Sequence, residues 1–126
     1  MRMTDRVKEI IEANLLHHYI PLVVRGESIG VFPMYYGRIR GEKEILFPAT
    51  NATDIGMMLK EPTPAHAIVA DRASGFEAYV LDGKACYVSN EDDFQLVASL
   101  RNECPSLPVH GVVVFAVENV HLVPPP

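Results

Sequence analysis

The stretch "GVVVFAV", Gly111 to Val117, is apolar on both faces. A strand with one wet face alternates apolar and polar residues, so this one must be covered on both sides. "FEAYVL", Phe76 to Leu81, also lacks clean alternation. Both belong to a set of six runs rich in β-branched and aromatic residues: "YIPLVV", "SIGVFPMYY", "EILFPA", "HAIVA", "FEAYVLDGKACYV" and "GVVVFAV". Six strands with few helices predict a mainly β fold with short helices, a closed or nearly closed antiparallel barrel. At 126 residues the chain forms one compact domain, 1–126. Three short helices hardly suffice to cover the outer faces, so a partner subunit is expected, with a two-fold homodimer its commonest form.

Punctuation along the chain fixes the order of elements. Val7, Ile10 and Ile11 recur at helical intervals from Asp5 to Asn14, with Thr4 as the cap. "RGE" joins the first two strands as antiparallel neighbours. Pro33 has no amide hydrogen, so the second strand needs a bulge or an unpaired edge there. Asp54 to Lys60 allows two helical turns before Pro62 and Pro64, too few to hold without a tether. Asp82-Gly83 interrupts the long fifth strand and marks a bulge or sharp bend. A third helix follows Ser89 and Asn90, carries Phe94, Val97, Leu100 and Arg101, and stops at Pro105.

Several classes are excluded. A net charge of −5 opposes general attraction to nucleic acid or an anionic membrane. No apolar stretch approaches a membrane span, and the amphipathic start "MRMTDRVKEI" lacks a secretory signal's apolar core, so the expected location is the cytoplasm. Cys86 and Cys104 have no CxxC spacing and read as two reduced thiols, with no metal site. No Gly-rich dinucleotide fingerprint or P-loop occurs, and no aromatic-and-basic stripe for RNA.

The junction "LFPATNATDIGMM", Leu46 to Met58, sets small polar residues between a strand and a helix. Two readings stand. Asn51 with Asp54 resembles a capping box, in which side chains satisfy the helix's own free amides. The same amides and hydroxyls suit a phosphate.

The order of elements, with "GVFPMYY", "LFPATNATDIG" and "SGFEAYVLDGKACY", resembles the FMN-binding split barrels related to pyridoxamine 5'-phosphate oxidase, especially their small single-domain flavin-binding members. The likeness runs from about Val7 to Val123. It implies a six-stranded split barrel that dimerises with FMN at the subunit interface. The isoalloxazine ring would lie beside the second strand at Val31, Phe32, Pro33, Met34 and Tyr35. The phosphate would lie at Thr50, Asn51 and Thr53, and Gly75 and Phe76 would match the Gly-aromatic start of the fifth strand. Ala52 stands about where many relatives carry a lysine. Asp54 near a phosphate costs roughly 3 kcal/mol per charge pair at about 6 Å and an effective dielectric near 20. A helix dipole returns at most ~2 kcal/mol. A cation from elsewhere is therefore needed unless Asp54 faces solvent, and Arg38, Arg40 and Arg72 are the candidates.

A bound flavin supplies redox chemistry itself, so no catalytic acid or base is required. His17, His18, His66, His110 and His121 show no ligand spacing or nucleophile partner. Tyr35 and Tyr36 are of a type that stacks on rings but also fills cores. The resulting expectation is a small flavin oxidoreductase or electron carrier. The alternative is a non-catalytic split-barrel binding protein holding haem, deazaflavin or no ligand, which the missing basic residue favours. Pyridoxamine phosphate oxidation itself ranks behind both, because the short chain shows no second basic cluster.

Overall fold

A computed structural model describes residues 3–13, 19–50, 52–71 and 77–124. Its elements run α1 (Asp5–Ala13), β1 (Ile20–Arg25), β2 (Ile29–Met34), β3 (Arg38–Arg40), β4 (Glu44–Ala49), α2 (Ala52–Met58), β5 (Thr63–Ala70), β6 (Ala78–Ser89), α3 (Phe94–Glu103) and β7 (Gly111–Val123). All strands join one antiparallel sheet in the order β2-β1-β5-β6-β7-β4-β3. The sheet thus has seven strands where the sequence predicts six. The addition is β3, three residues pairing Arg38 with Leu46 and Arg40 with Glu44. "RIR" carries one apolar residue between two charges and gives no strand signal of its own; its pairing with β4 makes it a strand.

The sequence's punctuation has identifiable physical outcomes. Thr4 caps α1 by accepting a hydrogen bond from the Val7 amide at 3.3 Å, and Val7, Ile10 and Ile11 are buried beneath it. β1 and β2 pair from Ile20–Met34 to Arg25–Ile29, and β2 is a sheet edge, where Pro33 costs no bond to a second neighbour. β6 shifts register against β7 between Asp82 and Gly83. Gly83 lies so close to β7 that a β-carbon would come within 1.9 Å of the Ala116 carbonyl oxygen, so only glycine fits. The cap of α3 lies later than Ser89 and Asn90: Asp93 accepts from the Leu96 amide, while Ser89 and Asp92 hydrogen-bond each other to close the preceding turn.

The core explains the two-faced strand. Ile45, Phe47, Val113 and Phe115 enter the barrel interior with Leu22, Val24, Ala67 and Leu81. The alternate residues Leu46, Val112 and Val114 join a second cluster with Val97, Leu100 and Cys104 of α3 and its end. The outer face of β4 and β7 is therefore covered by this chain's own α3, where the sequence alone assigns that role to a partner. The remaining outer face, on β2, β1, β5 and β6, is not covered by α3; it mixes apolar residues with the His66–Asp82 pair. Val31 pairs with Val23 and Ile68 with Val80, and Ile29, Val31 and Ile68 are exposed.

Candidate functional site

β2 and β3 are close in sequence yet form opposite edges of the sheet. Tyr35, Tyr36 and Gly37 connect them. Gly37 is buried, and a β-carbon there would stand 3.0 Å from Cε1 of Phe47 and 3.4 Å from methyls of Ile11 and Ile45. This pins the connection to the core. Beside it lies a cleft of about 620 Å³, lined by Phe32, Pro33, Met34, Tyr35, Tyr36, Pro48, Ala49, Thr50, Ile55 and Leu107. Met34, Pro48, Ala49 and Ile55 are its buried members, whereas Pro33, Tyr35 and Thr50 are exposed at its rim. Tyr35 also meets Tyr19 edge to face, with ring centroids 6.1 Å apart.

Three tethers fix the cleft's walls. The short helix α2 buries Ile55, followed by Leu59, and the Leu59 carbonyl accepts from the Tyr87 amide of β6 at 2.8 Å. A two-turn helix that would fray alone is thereby anchored. The end of β4 is held where the Ala49 carbonyl accepts from the His110 amide at 2.8 Å. Leu107 sits in a turn closed by its amide donating to the Cys104 carbonyl, and Arg101 Nε reaches the nearby Val109 carbonyl at 2.9 Å.

The cleft brings together Phe32, Pro33, Met34, Tyr35 and Thr50 of the sequence-predicted set. Val31 is exposed on β2 and is not among the residues lining the cleft. Thr53 lies in the first turn of α2. Asn51, Gly75, Phe76 and Arg72 lie outside the described residues, as do the side chains of Thr53 and Asp54. Arg38 and Arg40, proposed as cations for a phosphate, are held by carboxylates: Arg38 Nε meets Glu103 at 3.0 Å and Arg40 Nε meets Glu44 at 2.8 Å. The hydrogen bond to Glu44 raises the Arg40 pKa further. Sequence reasoning missed Pro48, Ala49, Ile55 and Leu107 as cleft residues. Pro48 and Ile55 flank the polar junction itself, so their proximity was a usable signal; Leu107, from the loop after α3, gave none.

Outside the cleft, Asp82 gathers two histidines that sequence spacing leaves scattered. His66 Nδ1 lies 2.5 Å from one carboxylate oxygen and His121 Nε2 lies 2.8 Å from the other. The His66 hydrogen bond, against some desolvation and with help from His121, holds the Asp82 carboxyl below the usual carboxylate range. Among the described residues no group of three or more His, Cys, Asp or Glu is placed to hold a metal ion. Burial pushes the Cys86 and Cys104 thiols up, which opposes nucleophilic chemistry at neutral pH.

The wall chemistry and size of the cleft fit a flat aromatic ligand. Sites for small molecules run about 300–1,000 Å³ with mostly apolar walls and few polar groups. This cleft offers aromatic and aliphatic walls, two phenols and the Thr50 hydroxyl. As an edge strand, β2 also has one side of its backbone without a strand partner among the described residues.

No protein-family model matches the sequence, and no curated protein matches it. Solved structures do. HupZ from Group A Streptococcus superposes with TM-score 0.76 at 12% identity, covering 96% of this chain and 94% of that one. An FMN-binding protein from Syntrophomonas wolfei gives TM-score 0.69 at 15% identity, over 95% of this chain and 85% of that one. A Clostridium acetobutylicum protein of the pyridoxinephosphate oxidase family gives 0.63 at 14% identity, over 91% and 83%. The chain therefore has the split-barrel fold of these proteins. Among the described residues no helix is long and apolar enough to cross a membrane.

Proposed function

We propose that the cleft binds FMN and that the protein works in the cytoplasm as a small flavin oxidoreductase or electron carrier, dimeric through its open sheet face. The observation that carries this reading is the convergence of Phe32 to Tyr35 with Thr50 on one apolar cleft. These are the strand and the junction that the family resemblance assigns to the ring and the phosphate. One split-barrel neighbour is itself an FMN-binding protein, which supports the choice of ligand.

In this reading the ring lies against β2 and the phosphate at Thr50, Asn51 and Thr53. Flavin, when bound, supplies one- and two-electron transfer. The chain's own residues orient it and exclude water: Met34, Ala49 and Ile55 close the floor, and Leu107 closes the side toward α3. Arg38 and Arg40 are engaged with Glu103 and Glu44, so they do not serve as the phosphate's cation in this arrangement. The exposed residues Ile29, Val31 and Ile68 give the homodimer its contact surface, since α3 covers only the other outer face.

The test is direct. Purified protein is denatured and its supernatant assayed for FMN, and the stripped protein is titrated with FMN by fluorescence while sedimentation reports its mass. Yellow protein that releases FMN, or stripped protein that takes it up stoichiometrically as a dimer, is expected. Colourless protein that fails to take up added FMN refutes the flavin reading, and a monomer refutes the dimer.

A further inference from the structure

We infer that Tyr36 is a positioning residue for the planar ring of the ligand, its phenol held in the cleft wall by a left-handed backbone that tyrosine adopts only under strain. The inference rests on the flavin reading and deepens it. Tyr36 has φ 57°, and no other non-glycine residue among the described ones has positive φ. Glycine or asparagine takes that conformation readily, whereas a bulky aromatic side chain does so at a cost. Strain that persists needs surroundings that enforce it, and such residues gather at ligand sites.

The enforcing contact is on the neighbour. Gly37, the next residue, is buried where even a β-carbon would crowd Phe47 at 3.0 Å and Ile11 and Ile45 at 3.4 Å, so the chain is held close to the core immediately after the left-handed turn at position 36 that leaves the edge strand β2. A turn alone would be served better by glycine. Tyrosine adds a ring that lines the cleft opposite no charge among its described walls, and that ring also packs on the cluster of Leu46, Val112 and Val114 beneath α3. The second contact holds the ring from behind, and the cleft surface is left to meet a ligand face. Stacking of this kind is worth about a tenfold change in affinity.

Packing alone is the competing account, and variants separate the two. Tyr36→Asn and Tyr36→Gly keep the turn and remove the ring, Tyr36→Phe keeps the ring, and Leu46→Ala loosens the same cluster from behind. Each is checked for fold by circular dichroism, and Kd is measured for FMN and for riboflavin, with the visible circular dichroism of the bound flavin recorded. The expected result is about tenfold weaker binding of both flavins by the ring-less variants, with an altered visible band, and near-normal binding by Tyr36→Phe and Leu46→Ala. Unchanged affinity in a folded ring-less variant overturns the inference alone. So does an equal loss in Leu46→Ala, which would mean the ring acts through packing, or a loss confined to FMN, which would put the phenol on the phosphate. Wild-type protein that binds neither flavin overturns both this inference and the function it rests on.

Discussion

Replacing Gly83 by alanine tests whether the bulge in β6 is a steric requirement. The added β-carbon would stand 1.9 Å from the Ala116 carbonyl oxygen, 2.9 Å from its carbon and 3.1 Å from Cε1 of Phe115. Even a close C–H···O contact needs about 3.3 Å, so a gap of about 1.4 Å must open between two backbones. Two of these atoms are backbone, and the third belongs to the ring of a buried phenylalanine rather than to the free end of a flexible side chain. Both strands are paired along most of their length, and Phe115 is fully buried. Loss of one or two ladder hydrogen bonds costs about 1 kcal/mol each, and overpacking adds about 1–3 kcal/mol. Alanine's stiffer unfolded chain returns roughly 0.4–1 kcal/mol. The net expectation is a loss of about 2–4 kcal/mol, or on the order of 8–16 °C in Tm for a chain of this size. Urea unfolding with an unchanged slope and a lowered midpoint measures it. Gly41→Ala is the control: Gly41 has φ +64° and nothing within 4 Å, so its substitution carries only the conformational cost of about 1 kcal/mol. A Gly83→Ala loss no larger than that of Gly41→Ala would refute the steric account.

Two further outcomes follow from the charged groups. Because the Asp82 carboxyl is depressed in the folded state, its contribution is present above the unfolded value near ~4 and is lost as pH falls through the still lower folded value. Tm measured from pH 7 down to pH 2 should therefore fall less steeply in Asp82→Asn than in wild type; parallel curves would refute this. Arg6 bridges Asp71 and Glu77, and Glu77 in turn accepts from the Tyr79 hydroxyl at 2.8 Å, tying α1 to the start of β6. Arg6→Gln should lower Tm in dilute buffer, with the difference shrinking in 1 M salt, where screening reaches about 3 Å; a salt-independent loss would assign the effect to packing.

The strands and their breaks were legible because each depends on local chemistry. Asp82-Gly83 signals a bulge by itself, Thr4 signals a cap, and Pro33 signals an edge. β3 was not legible, since Ile39 between two arginines becomes a strand only against β4. The cover over "GVVVFAV" was misassigned for a similar reason: periodicity shows that both faces are buried but not that α3 supplies Val97 and Leu100 to one of them. In the cleft, Phe32 to Tyr35 and Thr50 could be named from two separate stretches. Leu107 and the His66–Asp82–His121 cluster depend on which strands and loops close on each other, and no local pattern encodes that. The left-handed backbone of Tyr36 likewise has no local signal: it stands next to Gly37, which packs close to Phe47 from a distant part of the chain.

The placement of β2 and β3 at opposite edges of the sheet has a consequence for how the fold opens. Strands that follow one another in sequence usually pair, but these two sit at the far ends of the sheet, each with one strand neighbour among the described residues. Opening at either edge breaks pairing with one neighbour only, and so costs less than opening in the middle of the sheet. If the proposed flavin binds only when that region is closed, at a hundred times its Kd it would add about 2.7 kcal/mol against opening. On that reading the ligand-free chain would be the more readily cleaved by a protease.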